Sequence, residues 1–208
     1  MNRTLPEQVA PLLARRPPQS VTLERFAPSH TRTLRLDSSP ADAKPASVIV
    51  LLYPAAGEWH IPLVLRPTSM KHHQGQVGFP GGGCQPGEDP ARAALRELEE
   101  ELGVAGSLVH LLGPLSSVFV PVSRYVVHPW LAWVQTTLEF RPDAREVSEL
   151  VEAPLRPILD LSALESEWRE IAGERVEVPF FSVGAHKVWG LTCIILGELA
   201  LLCRGLEA

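Results

Sequence analysis

The residues best suited to chemistry form a run of glutamates in the middle of the chain. The run reads Arg96-Glu97-Leu98-Glu99-Glu100-Glu101-Leu102. On a helix, Glu97 and Glu101 lie one turn apart, and Glu100 falls within about 100° of both, so their carboxylates can converge. Like charges at this spacing destabilise a bare helix. A divalent cation such as Mg²⁺ or Mn²⁺ relieves the repulsion, because carboxylate oxygens are the ligands it prefers. Taken alone, such a run is more often just a solvated helix face.

A helix from residue 89 to residue 102 would position these glutamates. Asp89 is a good N-cap, Pro90 suits the first helical position, and Gly103 favours the left-handed conformation that ends a helix. A glycine-rich loop precedes this helix, and a predicted β-hairpin precedes the loop. We expect the loop at residues 67–87, the hairpin at 47–66, strands at 108–112, 118–122, 126–137, 176–181 and 187–189, short helices or loop at 148–155 and 157–165, and further helices at 6–15 and 190–203. The pattern predicts a mixed α/β fold.

The loop and the helix together match a longer motif, G-x5-E-x7-R-E-U-x-E-E-x-G-U, in which U is apolar. Every fixed position is matched without a gap, by Gly82, Glu88, Arg96, Glu97, Leu98, Glu100, Glu101, Gly103 and Val104. At ordinary residue frequencies, such a match arises by chance in roughly one chain in a million or fewer. The chain therefore resembles the Nudix hydrolases.

The resemblance implies an α/β/α sandwich around a mixed β-sheet and a metal-dependent hydrolase of nucleoside diphosphate derivatives. It makes Glu97 and Glu101 the main ligands of Mg²⁺ or Mn²⁺, and Glu100 a further ligand or the general base. Arg96 would pair with a glutamate of the motif and hold it in place. Gly82 can offer its carbonyl to the metal. The resemblance leaves open which glutamate is the base, the number of metal ions, and a late-loop carboxylate that could be Glu146, Glu149, Glu167 or Glu174.

A second motif precedes the first and resembles that of the coenzyme A diphosphatases, L-L-T-x-R-[SA]-x3-R-x3-G-x3-F-P-G-G. Six positions match in register: Arg66, Gly75, Phe79, Pro80, Gly81 and Gly82. The chain departs from the motif at Pro62-Leu63-Val64, at Pro67, and at Lys71, which keeps the charge of the expected arginine but loses its bidentate fork. Downstream, Trp189-Gly190-Leu191-Thr192 resembles the family's W-G-x-T.

The implied reaction is coenzyme A plus water giving 3′,5′-ADP and 4′-phosphopantetheine. We expect Arg66, Lys71, His72 and Gly81 to contact the substrate, with His73 adding to the cationic cluster. Phe79 is predicted either to contact the substrate or to pack beneath the loop. Alternatives are a Nudix diphosphatase for ADP-ribose, NADH or a modified NTP, and a catalytically silent binding module with the same fold. The resemblance does not specify which coenzyme A derivative is preferred or whether the chain forms a homodimer.

Composition narrows the remaining classes of function and location. The 208 residues carry a net charge of −5, and this balance argues against a basic nucleic-acid-binding face. The most apolar segment, Leu191–Cys203, is too short to cross a bilayer, and the N-terminal residues lack the apolar stretch of a signal peptide. Three cysteines without paired spacing favour a reducing compartment, so we predict a cytoplasmic protein. We assign residues 1–45 to a proline-rich extension and residues 46–205 to the hydrolase domain.

Overall fold

The structure is a computed structural model, and it describes residues 4–15, 21–31, 40–68, 75–204 and 206. The strands are β1 (Lys44–Ala55), β2 (Glu58–Leu65), β3 (Val77–Gly78), β4 (Gly81–Gly83), β5 (His110–Pro114), β6 (Val118–Val120), β7 (Tyr125–Trp133), β8 (Glu149–Pro154), β9 (Leu164–Ile171), β10 (Glu174–Val183) and β11 (His186–Trp189). The α-helices are α1 (Leu5–Ala14), α2 (Pro90–Leu102), α3 (Arg156–Leu159) and α4 (Leu191–Leu202). Short 3-10 helices cover Val21–Phe26, Ser29–Thr31 and Gly106–Leu108.

Strand β1 is the centre of the main sheet, which has eight strands within the described residues. Its first nine residues pair in parallel with β7, and its early part also pairs antiparallel with β4 on the other side. Its last residues form the predicted hairpin with β2. Strand β2 continues the sheet to β3 and β8, while β7 continues it to β5 and β6. The sheet is therefore mixed, as the sequence predicts.

The side chains of β1 alternate between two hydrophobic clusters, one on each face of the sheet. Ile49, Leu51 and Tyr53 pack in the cluster that contains Leu98 and Leu102 of α2. Val50 and Leu52 pack in the cluster that contains the apolar residues of α4. Because successive side chains of a strand point to opposite faces, one buried strand supports a helix layer on each side. This arrangement confirms the predicted α/β/α sandwich.

Strand β8 occupies residues 148–155, for which the sequence predicts a short helix or loop, so that prediction was wrong, whereas the second such segment, residues 157–165, contains most of α3. Strand β8 pairs with β2 along its whole length, and strand β9 pairs with β10. In β8 the buried residues Val151 and Ala153 alternate with exposed neighbours, a short period-two pattern. Strand β9 reads LESEWREI and has almost no apolar pattern of its own. Its strand conformation follows from the apolar β10 beside it.

The described part of residues 1–45 shares the core of the main body. Leu5 and Val9 of α1 and Phe26 are buried in the same cluster as α4. The Phe26 ring stacks on Phe181 of β10, with 6.3 Å between ring centroids. These contacts place the segment against the body, while the boundary at residue 45 stays a prediction. Among the described residues, no helix is long and apolar enough to span a membrane.

Phe26 and Gly197 of α4 offer a test of this packing. A Cβ at Gly197 would lie 2.3 Å from the Phe26 ring, so Gly197→Ala should destabilise the protein by about 1–3 kcal/mol through overpacking. In an open helix the same change stabilises by roughly 1 kcal/mol. Phe26→Ala should cost about 3–5 kcal/mol and should remove the penalty at residue 197. Denaturant unfolding of both single variants and the double variant measures this coupling. A Gly197→Ala protein more stable than the parent would contradict the packing.

Candidate metal centre

Helix α2 begins and ends where local residue chemistry places it. The Asp89 carboxylate accepts hydrogen bonds from the backbone N–H groups of Ala91 (2.9 Å) and Arg92 (3.3 Å). Gly103 takes φ +69° at the C-terminus, as predicted for a left-handed cap. The apolar face of the helix packs on β1, and this orientation turns Glu97 and Glu101 towards β4. The capping residues and the apolar stripe thus set the direction of both carboxylates.

Three carboxylates meet beside β4. One oxygen from each of Glu97, Glu101 and Glu146 lies within 4.8 Å of the other two. Glu101 is completely buried, Glu97 is buried and Glu146 is half-buried. The sequence places Glu97 and Glu101 together but leaves the third carboxylate open among four candidates. Glu149 instead lies against His186, Glu167 pairs with Arg169 and Lys187, and Glu174 is exposed where β10 begins.

The loop before β8 carries Glu146 to the cluster through backbone hydrogen bonds at both ends. The N–H of Arg141 donates to the Leu102 carbonyl (2.8 Å), and that of Asp143 donates to the Glu101 carbonyl (3.0 Å). At the other end, the N–H of Ser148 donates to the Leu65 carbonyl at the end of β2 (2.8 Å). The loop therefore bridges the C-terminus of α2 and the end of β2. No short sequence motif specifies such a bridge.

Glu101 is a buried carboxylate whose two oxygens have different surroundings. Its Oε2 accepts a hydrogen bond from the Gly81 N–H at 3.0 Å, whereas its buried Oε1 has no hydrogen-bond partner among the described residues. Arg66 forms an ion pair with it, the Nη1 lying 3.5 Å from Oε1. Burial raises the pKa of Glu101 to about 7, against the lowering effects of Arg66 and the Gly81 N–H. The neighbouring Glu97 and Glu146 raise it further.

Glu97 lies against a glycine of the preceding loop. A Cβ at Gly82 would lie 2.6 Å from the carboxylate oxygens of Glu97, so a side chain there would displace this carboxylate from its present position. Burial raises the pKa of Glu97, while the Arg96 guanidinium opposes the rise. The strand register pairs Gly82 with Ser47. The Gly82 carbonyl as a metal ligand stays a prediction.

Arg96 links the outer carboxylates of the helix and the loop. It donates to both oxygens of Glu88 (2.8 and 3.0 Å), to Glu97 (2.6 Å), to Glu100 (2.9 Å) and to the Gly83 carbonyl (3.2 Å). The two hydrogen bonds from Arg96 to Glu88, with one from the Gln85 N–H, lower the pKa of Glu88 to about 2. The Glu100 side chain is 52% exposed and lies outside the three-carboxylate cluster.

The residues predicted to contact substrate divide into three groups. Arg66 and Gly81 lie at the cluster, where the Arg66 Nη2 donates to the Gly81 carbonyl at 2.7 Å. Phe79 is 3% exposed and packs in the core on the α4 side, which corresponds to the packing alternative for this residue. Lys71, His72 and His73 lie outside the described residues.

The chemistry of the three carboxylates is suited to binding a divalent cation. Three carboxylates supply the hard oxygen ligands that Mg²⁺ and Mn²⁺ prefer. The partnerless Oε1 of Glu101 has a lone pair available, and a buried acceptor of this kind is costly without a partner. The absence of a side chain at Gly82 keeps the space beside Glu97 open. A bound cation would also offset the mutual repulsion of the three charges.

Comparisons with known proteins bear on the family of the chain. The family model described as NUDIX domain matches residues 43–175. The chain is 37% identical over 174 residues to the mitochondrial coenzyme A diphosphatase NUDT8 of Homo sapiens, covering 81% of this chain and 72% of that relative. It is 36% identical over 141 residues to the uncharacterized Nudix hydrolase NudL of Yersinia pestis, covering 66% of this chain and 69% of the relative.

One solved structure matches nearly the whole chain. The crystal structure of a MutT/nudix family protein from Enterococcus faecalis covers 95% of this chain and 73% of that one, with a TM-score of 0.53 and 16% identity. At this identity the likeness bears on the fold alone. The name of the human relative places that protein in mitochondria. For this chain, a cytoplasmic location and a homodimer stay predictions from the sequence.

The burial of Glu101 predicts a pH-dependent stability in the metal-free protein. Because folding raises the pKa of Glu101 from 4.5 to about 7, the neutral form is favoured, and its stabilising contribution is lost as the pH rises through about 7. Glu101→Gln keeps the side chain neutral, so above about pH 8 it should exceed the parent by roughly 2–3 kcal/mol in free energy of unfolding.

The two proteins should converge towards about pH 4.5, where the parent carboxyl is also neutral. Urea unfolding with a chelator present measures the difference across this range. Glu99→Gln, on the exposed side of the same helix, is the matched control and should follow the parent. A difference between Glu101→Gln and the parent that does not change with pH would contradict the assignment.

Proposed function

Because the chain belongs to the Nudix hydrolase family, we propose that it hydrolyses the diphosphate bond of coenzyme A or of a coenzyme A derivative. The products would be 3′,5′-ADP and 4′-phosphopantetheine. The observation that carries the proposal is the 37% identity, over 81% of the chain, to a relative named as a coenzyme A diphosphatase. The motif around Arg66, Gly75 and Gly81 supports the same substrate, since it resembles the motif of that family.

The cofactor in this proposal is Mg²⁺ or Mn²⁺. Glu97, Glu101 and Glu146 would hold it, with the Gly82 carbonyl and Glu100 as further candidates. A bound divalent ion would neutralise diphosphate oxygens and lower the pKa of a water molecule. The carboxylate cluster would otherwise repel an anionic substrate, so binding of the ion and binding of the diphosphate should be coupled.

The surrounding side chains would orient the carboxylates and accept the proton. Arg96 holds Glu97, Glu88 and Glu100 through four hydrogen bonds, and we assign it an orienting role. Glu100 is the candidate general base, because its half-exposed carboxylate is open to water and lies outside the buried cluster. Glu97 is the alternative base.

The 3′-phosphate of coenzyme A needs a cationic partner of its own. We assign it to the segment that contains Lys71, His72 and His73. The flanks of this segment are fixed, since the Gly75 N–H donates to the Arg66 carbonyl (3.2 Å) and the Arg66 N–H donates to the Gln76 carbonyl (3.1 Å). The described residues that follow the segment, Gly75 and Gln76, therefore lie beside Arg66. Phe79 has no substrate contact in this proposal, because its ring is buried in the core.

Product analysis tests the proposal directly. Coenzyme A incubated with the protein and Mg²⁺ or Mn²⁺ should give 3′,5′-ADP and 4′-phosphopantetheine, separated by liquid chromatography. ADP-ribose, NADH and a modified NTP serve as competing substrates. The proposal fails if coenzyme A is hydrolysed no faster than ADP-ribose.

Substitutions in the cluster test the role of the carboxylates in catalysis. Glu97→Gln and Glu101→Gln should each lower kcat for coenzyme A by about 10²–10⁴-fold, because each removes a charged oxygen ligand. Glu99→Gln is the matched control, since it removes the same charge from the same helix but from an exposed position. It should stay within about twofold of the parent. Equal losses in all three variants would contradict the assignment.

Lys71 should distinguish coenzyme A from dephospho-coenzyme A, which lacks the 3′-phosphate. Lys71→Ala should raise KM for coenzyme A by about tenfold, the effect of losing one charge-assisted hydrogen bond, and should leave dephospho-coenzyme A nearly unchanged. Steady-state kinetics on the two substrates measures this. Lys44→Ala, at the exposed start of β1, is the control for loss of a positive charge. Equal effects of Lys71→Ala on both substrates would show that Lys71 does not contact the 3′-phosphate.

A further inference from the structure

Arg66, Gly81 and Glu101 form a closed ring of three contacts. The Arg66 Nη2 donates to the Gly81 carbonyl at 2.7 Å. The Gly81 N–H donates to the Glu101 Oε2 at 3.0 Å. The Arg66 Nη1 completes the ring at 3.5 Å from the Glu101 Oε1. The ring joins the residue that follows β2, the start of β4 and the last turn of α2.

The third contact balances charge without using the free oxygen. At 3.5 Å the guanidinium forms an ion pair with Glu101, yet Oε1 has no hydrogen-bond partner in the part of the chain that the structure describes. A buried carboxylate without a compensating charge is strongly disfavoured. Arg66 therefore supplies the compensating charge and leaves a lone pair of Oε1 available for a metal ion.

Gly81 makes the ring rigid. It has φ +154°, and a Cβ there would lie 2.4 Å from the Ser47 carbonyl oxygen of β1. The Gly81 peptide is therefore held against the central strand, with its carbonyl towards Arg66 and its N–H towards Glu101. Both terminal nitrogens of the Arg66 guanidinium face protein partners, and the side chain is 19% exposed.

We infer that Arg66 is a positioning residue for the metal ligand Glu101 and does not bind a substrate phosphate. This inference rests on the proposed metal-dependent function and replaces the role in substrate binding that the sequence motif predicts for Arg66. Loss of a residue that orients a metal ligand typically weakens metal affinity by 10–100-fold. The substrate should bind as before once the metal site is filled.

The first test measures metal binding without substrate. Mn²⁺ is titrated into the metal-free protein, and free Mn²⁺ is followed by electron paramagnetic resonance. Arg66→Gln and Arg66→Lys should both raise the Kd for Mn²⁺ by about 10–100-fold, since lysine cannot contact Gly81 and Glu101 at once. Arg175→Gln, an exposed arginine of β10, is the control for charge and should match the parent. Circular dichroism verifies that each variant is folded, and Arg66→Lys carries the test if Arg66→Gln is not.

The second test separates kcat from KM. At saturating Mn²⁺ both Arg66 variants should recover kcat to within about fivefold of the parent, because the metal restores what the arginine positions. Their KM values for coenzyme A and dephospho-coenzyme A should stay within about twofold of the parent values. Lys71→Ala provides the contrasting pattern of a phosphate contact.

The inference is overturned if the Kd for Mn²⁺ is unchanged while KM rises for coenzyme A alone, since Arg66 would then contact the 3′-phosphate. It is also overturned if the parent binds no Mn²⁺, which would remove the proposed cofactor with it. If the parent binds Mn²⁺ but does not hydrolyse coenzyme A, the proposed substrate fails, and the Mn²⁺ titration alone still decides the role of Arg66.

Discussion

The burial of anionic side chains beside β4 is the constraint on which the rest of the site depends. Glu101 is completely inaccessible to solvent, and Glu97 and Glu146 lie within 4.8 Å of it. Such a cluster is unfavourable unless cations compensate it. The protein supplies two arginines, Arg66 on the β2 side and Arg96 on the outer side, and neither hydrogen-bonds the Oε1 of Glu101. The site is thus partly neutralised by the chain and retains the oxygen that a metal needs.

The sandwich fold explains how distant parts of the chain share this site. Strand β1 pairs with β4 and supports α2 on one face, so the glycine loop and the glutamate helix meet over a single strand. The end of β2 brings Arg66 and accepts the hydrogen bond of Ser148, which anchors the loop of Glu146. Helix α4 and the described N-terminal residues stabilise the opposite face, away from the carboxylates.

Features fixed by local chemistry were predictable from the sequence, and those fixed by tertiary contact were not. The bounds of α2 follow from Asp89, Pro90 and Gly103, which act within one turn of the helix. The position of Glu146 depends on backbone contacts with α2 and β2, residues far away in the chain. Strand β9 owes its conformation to β10, because its own residues are mostly polar. For Arg66 the motif predicts a substrate contact, whereas the structure adds partners that only the folded chain brings together.

The first two glycines of β4, Gly81 and Gly82, are each required by a different neighbour. At Gly81 a side chain would collide with the backbone of β1, so the residue is set by the sheet. At Gly82 a side chain would collide with the Glu97 carboxylate, so the residue is set by the site. The first glycine therefore lets β4 lie close to β1, and the second lets it lie close to the Glu97 side chain of α2. Since the Gly81 N–H is also a hydrogen-bond donor to Glu101, the same close approach that excludes side chains helps to hold a carboxylate that burial alone would neutralise. Packing of the sheet and ionisation of the site are therefore one constraint on the sequence of this loop.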